Sequence, residues 1–359
     1  MLSAGMSKIQ TGFFTHEIQL NRLDALGDPL KAVSETIDFE MFRPMLDRLL
    51  GIRTGGRGRP PLDRVMMFKV LVLQTIRGLS DEKLEFELID SASAQRFISR
   101  SPHDAMPDSR TIWLFRDCLA KSKLTNDQGE VCDGVRVLFD KFHTMLASKG
   151  LICREGRTVD AMIVEVPRQR NSREENQTVK QGKVPADWPK QPRKLAQKDL
   201  DARWTRKDYI AYYGYKNSIT GGNTDSLIHD YRVSPANAHD STIVPPAFFK
   251  AVSPGAKAYG DSAYCKPQVL AKLAAAGIES RIHEQRLAGR QLSDEQKESN
   301  RIKSKVRARI EHRFGRMRTN LRGLAIRAIG LVRCRAAIGM LNLVYNLMEY
   351  ERLQRAVRA

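Results

Sequence analysis

Thr158-Val-Asp-Ala-Met-Ile-Val-Glu-Val166 is an apolar, β-prone run interrupted by acids. Its period of two places Thr158, Asp160, Met162 and Val164 on one face of a predicted strand. A carboxylate inside such a strand needs a reason, since an unpaired buried charge is costly.

Downstream, Tyr209–Thr220 and Ser226–Val233 are also strand-like, and Gly221-Gly-Asn-Thr224 supplies a hairpin turn between them. Asn237 or Asp240 caps a short helix through Val252. Lys257–Tyr264 reads as a fourth strand, Pro267–Ala276 as a helix stopped by Gly277, and Ile278–His283 as a fifth strand. Ser293-Asp-Glu-Gln296 is a capping box opening a long helix to about Arg318. A last helix near Arg335–Val357 carries Ile338, Leu341, Tyr345 and Met348 on one stripe, which suits packing. Three antiparallel strands followed by alternating helices and strands predict an α/β fold: a mixed five-stranded sheet with flanking helices. Between the first two strands, Arg168 to Asp201 is polar and basic, with too few apolar residues for a core of its own. It predicts an exposed insertion near 167–205, disordered or a solvated loop.

Upstream the pattern is helical. One helix is expected around Phe39–Leu50, another over Leu62–Arg77 with Gly78 as its stop, and a third capped by Ser80 with Asp81 and Glu82 in its first turn. Pro102 to Pro107 forms a break, Asp108 or Ser109 caps a helix to about Ala120, and a further helix covers Val131–Ser148. This all-helical segment suits either a helix-turn-helix or a dimerisation and packing module. The expected division is therefore 1–150 helical, 151–334 catalytic and 335–359 a packing helix. Arg53-Thr-Gly-Gly-Arg-Gly-Arg-Pro-Pro61 is a basic linker. Its Arg57-Gly-Arg59-Pro core has the form of a minor-groove hook, and it equally suits a hinge before a helix with prolines at its start.

Sixty Lys and Arg against 41 Asp and Glu give a formal charge of +19 in 359 residues, which points to a polyanionic partner, nucleic acid foremost. No apolar run is long enough for a bilayer, and Met1-Leu-Ser-Ala-Gly-Met-Ser-Lys8 lacks a signal-peptide core, so a cytoplasmic, nucleoid-associated protein with no membrane partner is expected. Five scattered cysteines form no CxxC pair, and seven histidines show no zinc-ligand spacing. No Walker pattern and no nucleophile–base constellation is present.

Three acids remain. Asp160 lies in the first strand, Asp261 in Ala258-Tyr-Gly-Asp-Ser-Ala-Tyr264, and Glu311 in Arg307-Ala-Arg-Ile-Glu311. On the long helix, Ile302, Val306, Ile310, Phe314 and Met317 make an apolar sector, while Arg307, Glu311 and Arg318 fall within about 40° of one another at its edge. Taken singly these are a surface ion-pair stripe, a strand-end acid and a turn acid. Brought to one point they form an all-oxygen site with open positions, suited to two Mg2+ or Mn2+ ions acting on a phosphodiester. Arg307 and Arg318 would then hold flanking phosphates or steady Glu311. Trp204 and Tyr209, Tyr212, Tyr213 and Tyr215 suit either base stacking or packing within a sheet.

Arg59-Pro-Pro-Leu-Asp63, Leu73-Gln-Thr-Ile-Arg-Gly-Leu-Ser-Asp-Glu82, Pro107-Asp-Ser-Arg-Thr111, Thr158-Val-Asp160, Asp201-Ala-Arg-Trp-Thr205, Tyr213-Gly-Tyr-Lys216, Pro235-Ala-Asn-Ala-His-Asp-Ser241, Gly260-Asp-Ser-Ala-Tyr264 and Arg307-Ala-Arg-Ile-Glu311 occur in that order. Together they resemble the DDE transposases of bacterial insertion sequences, specifically the insertion-sequence-five family of the insertion-sequence-four-like group. The resemblance covers nearly the whole chain. It implies an RNase H-like core with metal held by Asp160, Asp261 and Glu311. It also implies binding to double-stranded DNA at terminal inverted repeats and at a target, with excision and reinsertion of the element. Two ends must meet, so a homodimer or larger assembly on DNA is expected. The wider group has a Tyr three residues before the Arg and a Lys seven after the Glu; here these are Ser304 and Arg318. A regulatory relic and a nuclease without strand transfer are the alternatives.

Overall fold

One mixed sheet organises the protein, and a buried C-terminal helix ties it to the helices that precede it. The computed structural model describes residues 15–51, 61–125, 129–250, 253–286, 291–321 and 326–358. Arg57 and Arg59 lie outside the described residues.

The first half contains α1 (Thr15–Ala25), α2 (Pro29–Thr36), α3 (Arg43–Leu50), α4 (Arg64–Arg77), α5 (Asp81–Asp90), α6 (Ala92–Phe97) and α7 (Ser109–Lys121). A ribbon of β1 (Lys123–Thr125) and β2 (Val131–Asp133) follows, then α8 (Gly134–Ser148). Asp63, Ser80, Asp108 and Asp133 cap their helices by accepting from Met66, Lys83, Thr111 and Arg136 N–H groups. Gly78 ends α4 in the left-handed conformation. The all-helical expectation fails at one place. Val131 to Asp133, expected as the start of a helix, pairs with β1, and Asp133 starts the helix afterwards.

The second half contains β3 (Gly156–Glu165), α9 (Arg173–Lys180), α10 (Pro192–Leu195), β4 (Arg203–Lys207), β5 (Ile210–Gly222), β6 (Ile228–Pro235), β7 (Lys257–Tyr259), α11 (Pro267–Ala275), β8 (Glu279–Ser280), α12 (Asp294–Asn320) and α13 (Leu331–Arg358). β5 runs antiparallel to β3, with Asp160 opposite Ile219, and β7 and β8 continue the other edge in parallel. The outer edge of β5 carries β4 along its first residues and β6 along the rest. The sheet therefore has six strands, not five. The extra one, β4, lies at the end of the polar insertion, where charged residues masked its alternation.

The insertion itself is also more ordered than its composition predicts. Trp188 is fully buried, its indole N–H donates to Glu175 at 2.7 Å, and the ammonium groups of Lys194 and Lys198 lie over its ring. Asp199 closes the segment onto the sheet, accepting from Ala202 N and from the Tyr215 hydroxyl. One aromatic anchor and one buried acid replace the apolar stripe that a longer element would need.

Period two in β3 separates two cores. Met162 and Val164 join a cluster with α12 and α13, while Val159 packs with Tyr264, Val269 and Leu273 on the opposite face. α13 is buried through most of its length and is keyed to the sheet by polar pairs: Asn342 with Asn217, Asn346 with the Ile228 backbone, and Tyr345 with Ser226 O. Three expected elements of this half shorten, among them the fifth strand, expected over Ile278–His283 and formed only at Glu279–Ser280. The helix expected after Asp240 is two 3-10 turns, because Pro245 and Pro246 interrupt it. The fourth strand stops at Tyr259, because Asp261 caps a turn at Ser262–Tyr264. Among the described residues no helix is long and apolar enough to cross a membrane.

Candidate active site

Asp160 sits in the middle of β3 on the face that α12 crosses, and its side chain is 17% exposed. β7 pairs with β3 as far as Thr158 and Tyr259, and Asp261 follows two residues later in the turn beyond the strand, near enough for its charge to raise Asp160. Asp261 is turned and held by its own capping bond, accepting from Ala263 N at 2.9 Å. Glu311 reaches the site from α12. Arg307, one turn earlier, contacts Glu311 at 2.6 Å and Asp160 at 3.3 Å. One guanidinium thus gathers the strand acid and the helix acid. The expected i,i+4 pair is present, and it is one side of a three-residue bridge, not a free surface pair.

α12 is held in place by a residue that periodicity does not single out. Arg313 is 1% exposed and donates to Gly222 O at 2.7 Å and Asp225 O at 2.8 Å. Gly221 is needed there because a Cβ would stand 2.6 Å from the Arg313 guanidinium carbon. The hairpin glycines therefore serve close approach as well as the turn, and Arg313 sets the azimuth from which Glu311 points.

The electrostatics follow from burial and crowding. Burial, with the nearby carboxylates of Asp261 and Glu311, raises Asp160 to about 6, against the lowering effect of Arg307 and of the Ala161 N–H bond. Asp160 and Glu311 on one guanidinium, with Asp261 near enough to raise Asp160, leave an excess of negative charge. Among the described residues no three His, Cys, Asp or Glu side chains stand close enough to hold an ion as placed. The physical reason is that Arg307 lies between Asp160 and Glu311. Hard oxygen donors with uncompensated negative charge do fit a small divalent cation.

Residues the sequence did not mark surround this cluster. Burial lowers His283, with Arg307 adding to the effect and Asp261 and Glu311 opposing it. Its backbone N–H donates to Gly260 O, and its ring meets the Ser304 hydroxyl at 3.3 Å. Ser304, which departs from the group's aromatic, therefore has a local partner. Tyr264 is fully buried beneath the Asp261 turn, and burial pushes its phenol far up. Lys216 on β5 ties Asp240 at 2.7 Å and Ala238 O at 2.8 Å. A lone His at a strand end and a Lys in a strand carry no distinctive spacing, so only tertiary proximity identifies them.

Arg318 is exposed and lies seven residues past Glu311, about 10 Å along the axis. It is not brought to the carboxylates. Beside α12, a cleft of about 600 Å³ is lined by Asn223, Thr224, Lys257, Tyr259, Lys305 and Arg309, together with Glu155. Lys257, Lys305 and Arg309 are exposed there, and Thr158, two residues before Asp160, binds Asn223. The cleft thus adjoins the acids.

Two known family patterns match this chain. A transposase domain (DUF772) matches residues 18–118, and the transposase DDE domain matches residues 152–347. Among solved structures, the chain is similar to a piggyBac transposase synaptic complex with hairpin DNA seen by cryo-EM. The two are 9% identical, with 92% of this chain and 76% of that one covered at a TM-score of 0.48.

Proposed function

The chain belongs to the transposase DDE domain family, which spans more than half of its length, and from that premise we propose that it is the transposase of an insertion sequence of the insertion-sequence-five family. The observation that carries the reading is the convergence of Asp160 and Glu311 on Arg307, with Asp261 in the turn after the neighbouring strand, close enough for its charge to raise Asp160. The strand order β6-β5-β3-β7-β8, antiparallel then parallel, supports an RNase H-like core. The helices of residues 1–150 then serve DNA binding or dimerisation, residues 151–334 catalysis, and residues 335–359 packing.

On this reading Asp160, Asp261 and Glu311 hold Mg2+ or Mn2+ as a pair of ions. Bound there, the metal lowers the pKa of an attacking water or 3′-hydroxyl and offsets charge on the leaving oxygen. Arg307 keeps the acids from repelling one another, and Arg313 fixes the helix that carries Glu311. The Lys257–Lys305–Arg309 cleft takes phosphates beside the scissile bond. Arg318, and Arg57 and Arg59 in the linker, contact DNA. The substrate is double-stranded DNA, first at the terminal inverted repeats and then at the target. The active form is a homodimer or larger, acting at the bacterial nucleoid.

The test is cleavage and joining of labelled DNA carrying the element's own ends, with magnesium, comparing the parent with Asp160→Asn. Metal-dependent joined products that vanish in the variant are expected. Nicks without joining would indicate a nuclease, DNA binding without products a regulatory relic, and unchanged products in the variant would remove Asp160 from the site.

A further inference from the structure

We infer that the β4–β5 hairpin is an aromatic wedge for duplex DNA, with Tyr209 inserting against a base face. The inference rests on the nucleic-acid reading above and adds a second contact, remote from the acids. The two strands are joined by a two-residue turn, Asp208-Tyr209, closed by the Lys207–Ile210 pair. Both turn residues have positive φ, 49° and 65°. Such turns match the twist of a hairpin and favour Asn or Gly; a bulky ring there is strained. Tyr209 gains nothing from packing in return, since it is 101% exposed, and Ile210 beside it is 56% exposed. Local strain with no compensating contact in the free chain points to a contact made with a partner.

The stem is built to hold the tip firmly. Trp204 and Tyr213 face each other across the strands with ring centres 5.2 Å apart, and the Arg168 guanidinium lies 5.5 Å from the Trp204 ring. Arg206 and Lys207 are exposed on the tip and form no ion pair among the described residues. An apolar ring flanked by free cations is the chemistry of a side chain that enters a base step while its neighbours hold phosphates. A second copy of this chain is a poor occupant, because a chain of charge +19 presents like charge to such a tip.

The reach is also suitable. Ile210 lies nine positions along β5 from Ile219, the partner of Asp160. At about 3.3 Å per residue that is roughly 30 Å, close to one turn of duplex. The wedge therefore touches DNA up to about one helical turn from the bond opposite Asp160, not the cut end.

The experiment compares the full chain with Tyr209→Phe and Tyr209→Gly on a duplex carrying the repeats that flank its own gene, without divalent metal. Phe keeps the stacking ring and should keep the affinity. Gly relieves the turn, so its melting temperature should not fall, yet its affinity should drop about five-fold or more. Permanganate-reactive thymines about one turn from the cleaved position should appear with the parent and Phe and be absent with Gly. Equal affinity and equal reactivity for parent and Gly overturn the wedge alone. Failure of the parent to bind any duplex overturns both the wedge and the nucleic-acid reading. A loss of affinity in Gly that accompanies smaller oligomers by light scattering assigns the tip to contact between copies and also overturns the wedge.

Discussion

Replacing Asp160 by Asn should abolish strand cleavage and at the same time stabilise the metal-free protein near neutral pH. The Asp160 carboxyl is raised from 3.8 to about 6, with burial as the leading cause. The folded state therefore binds this proton more tightly than the unfolded chain does. Stability falls as pH rises from about 4 to about 6 and stays reduced above that. A shift near 2 units at about 1.4 kcal/mol per unit corresponds to a penalty of roughly 3 kcal/mol at pH 7.5. Asn carries no charge, still accepts from Ala161 N, and leaves Arg307 paired with Glu311. A gain of about 2–3 kcal/mol is expected at pH 7.5 and only about 0.5 kcal/mol at pH 4, where the folded acid is protonated and the unfolded one is about half ionised. Guanidinium unfolding of both proteins with chelator at the two pH values measures it; the chelator matters because bound metal would stabilise only the parent. An Asn variant that is no more stable at pH 7.5, or whose gain is the same at both pH values, would refute the account of Asp160 as a charge held against burial and neighbouring acids.

Three further predictions test the surroundings. Replacing Lys257, Lys305 and Arg309 together by Ala should make the slope of log affinity against log salt shallower by about 2–3 on random-sequence duplex, as measured by fluorescence anisotropy; an unchanged slope would take the cleft out of the DNA path. Trp188→Ala should cost about 3–5 kcal/mol locally and make the segment between β3 and β4 a site of rapid proteolysis, read by mass spectrometry of the fragments. His143, lowered to about 4 chiefly by burial and stacked on Phe139, contributes stability that is present above about 6.5 and lost as pH falls toward 4. His143→Phe should flatten acid-induced destabilisation across that window by up to about 3 kcal/mol, and an unchanged pH profile in thermal melts would show that another group dominates.

Local chemistry made much of the fold readable. The caps Ser80, Asp108 and Ser293, the left-handed Gly78 and the period of β3 all act within a few residues, and each stands where its local pattern placed it. The errors occurred where distant contacts compete with local preference. Val131 to Asp133 pairs with β1, and β4 with β5, because a partner strand satisfies the backbone that helix or loop would otherwise have left to water. The insertion is ordered by a single buried Trp188, too sparse a signal for a periodic pattern. The apolar stripe of α12 was legible, yet its N-terminal end at Ile302 is 56% exposed, since no element covers it in the chain alone.

The acids at 160, 261 and 311 could be named from sequence because each breaks a local rule: a charge in an apolar strand, a strand ending at Gly-Asp, an acid on the edge of a helical stripe. Sequence alone also determined the excess of positive charge and the succession β3, β5, β6, β7, α11, β8, α12, α13, which are properties of composition and short-range spacing. Tertiary structure alone decided that Arg307 spans Asp160 and Glu311, that Arg313 locks α12 to the β5–β6 hairpin, that His283 and Tyr264 lie beside the acids, and that Tyr209 is strained and bare at a hairpin tip. Those relations join residues up to 147 positions apart. A local pattern cannot encode them, because their energies depend on burial and distance, and both exist only after the chain has folded.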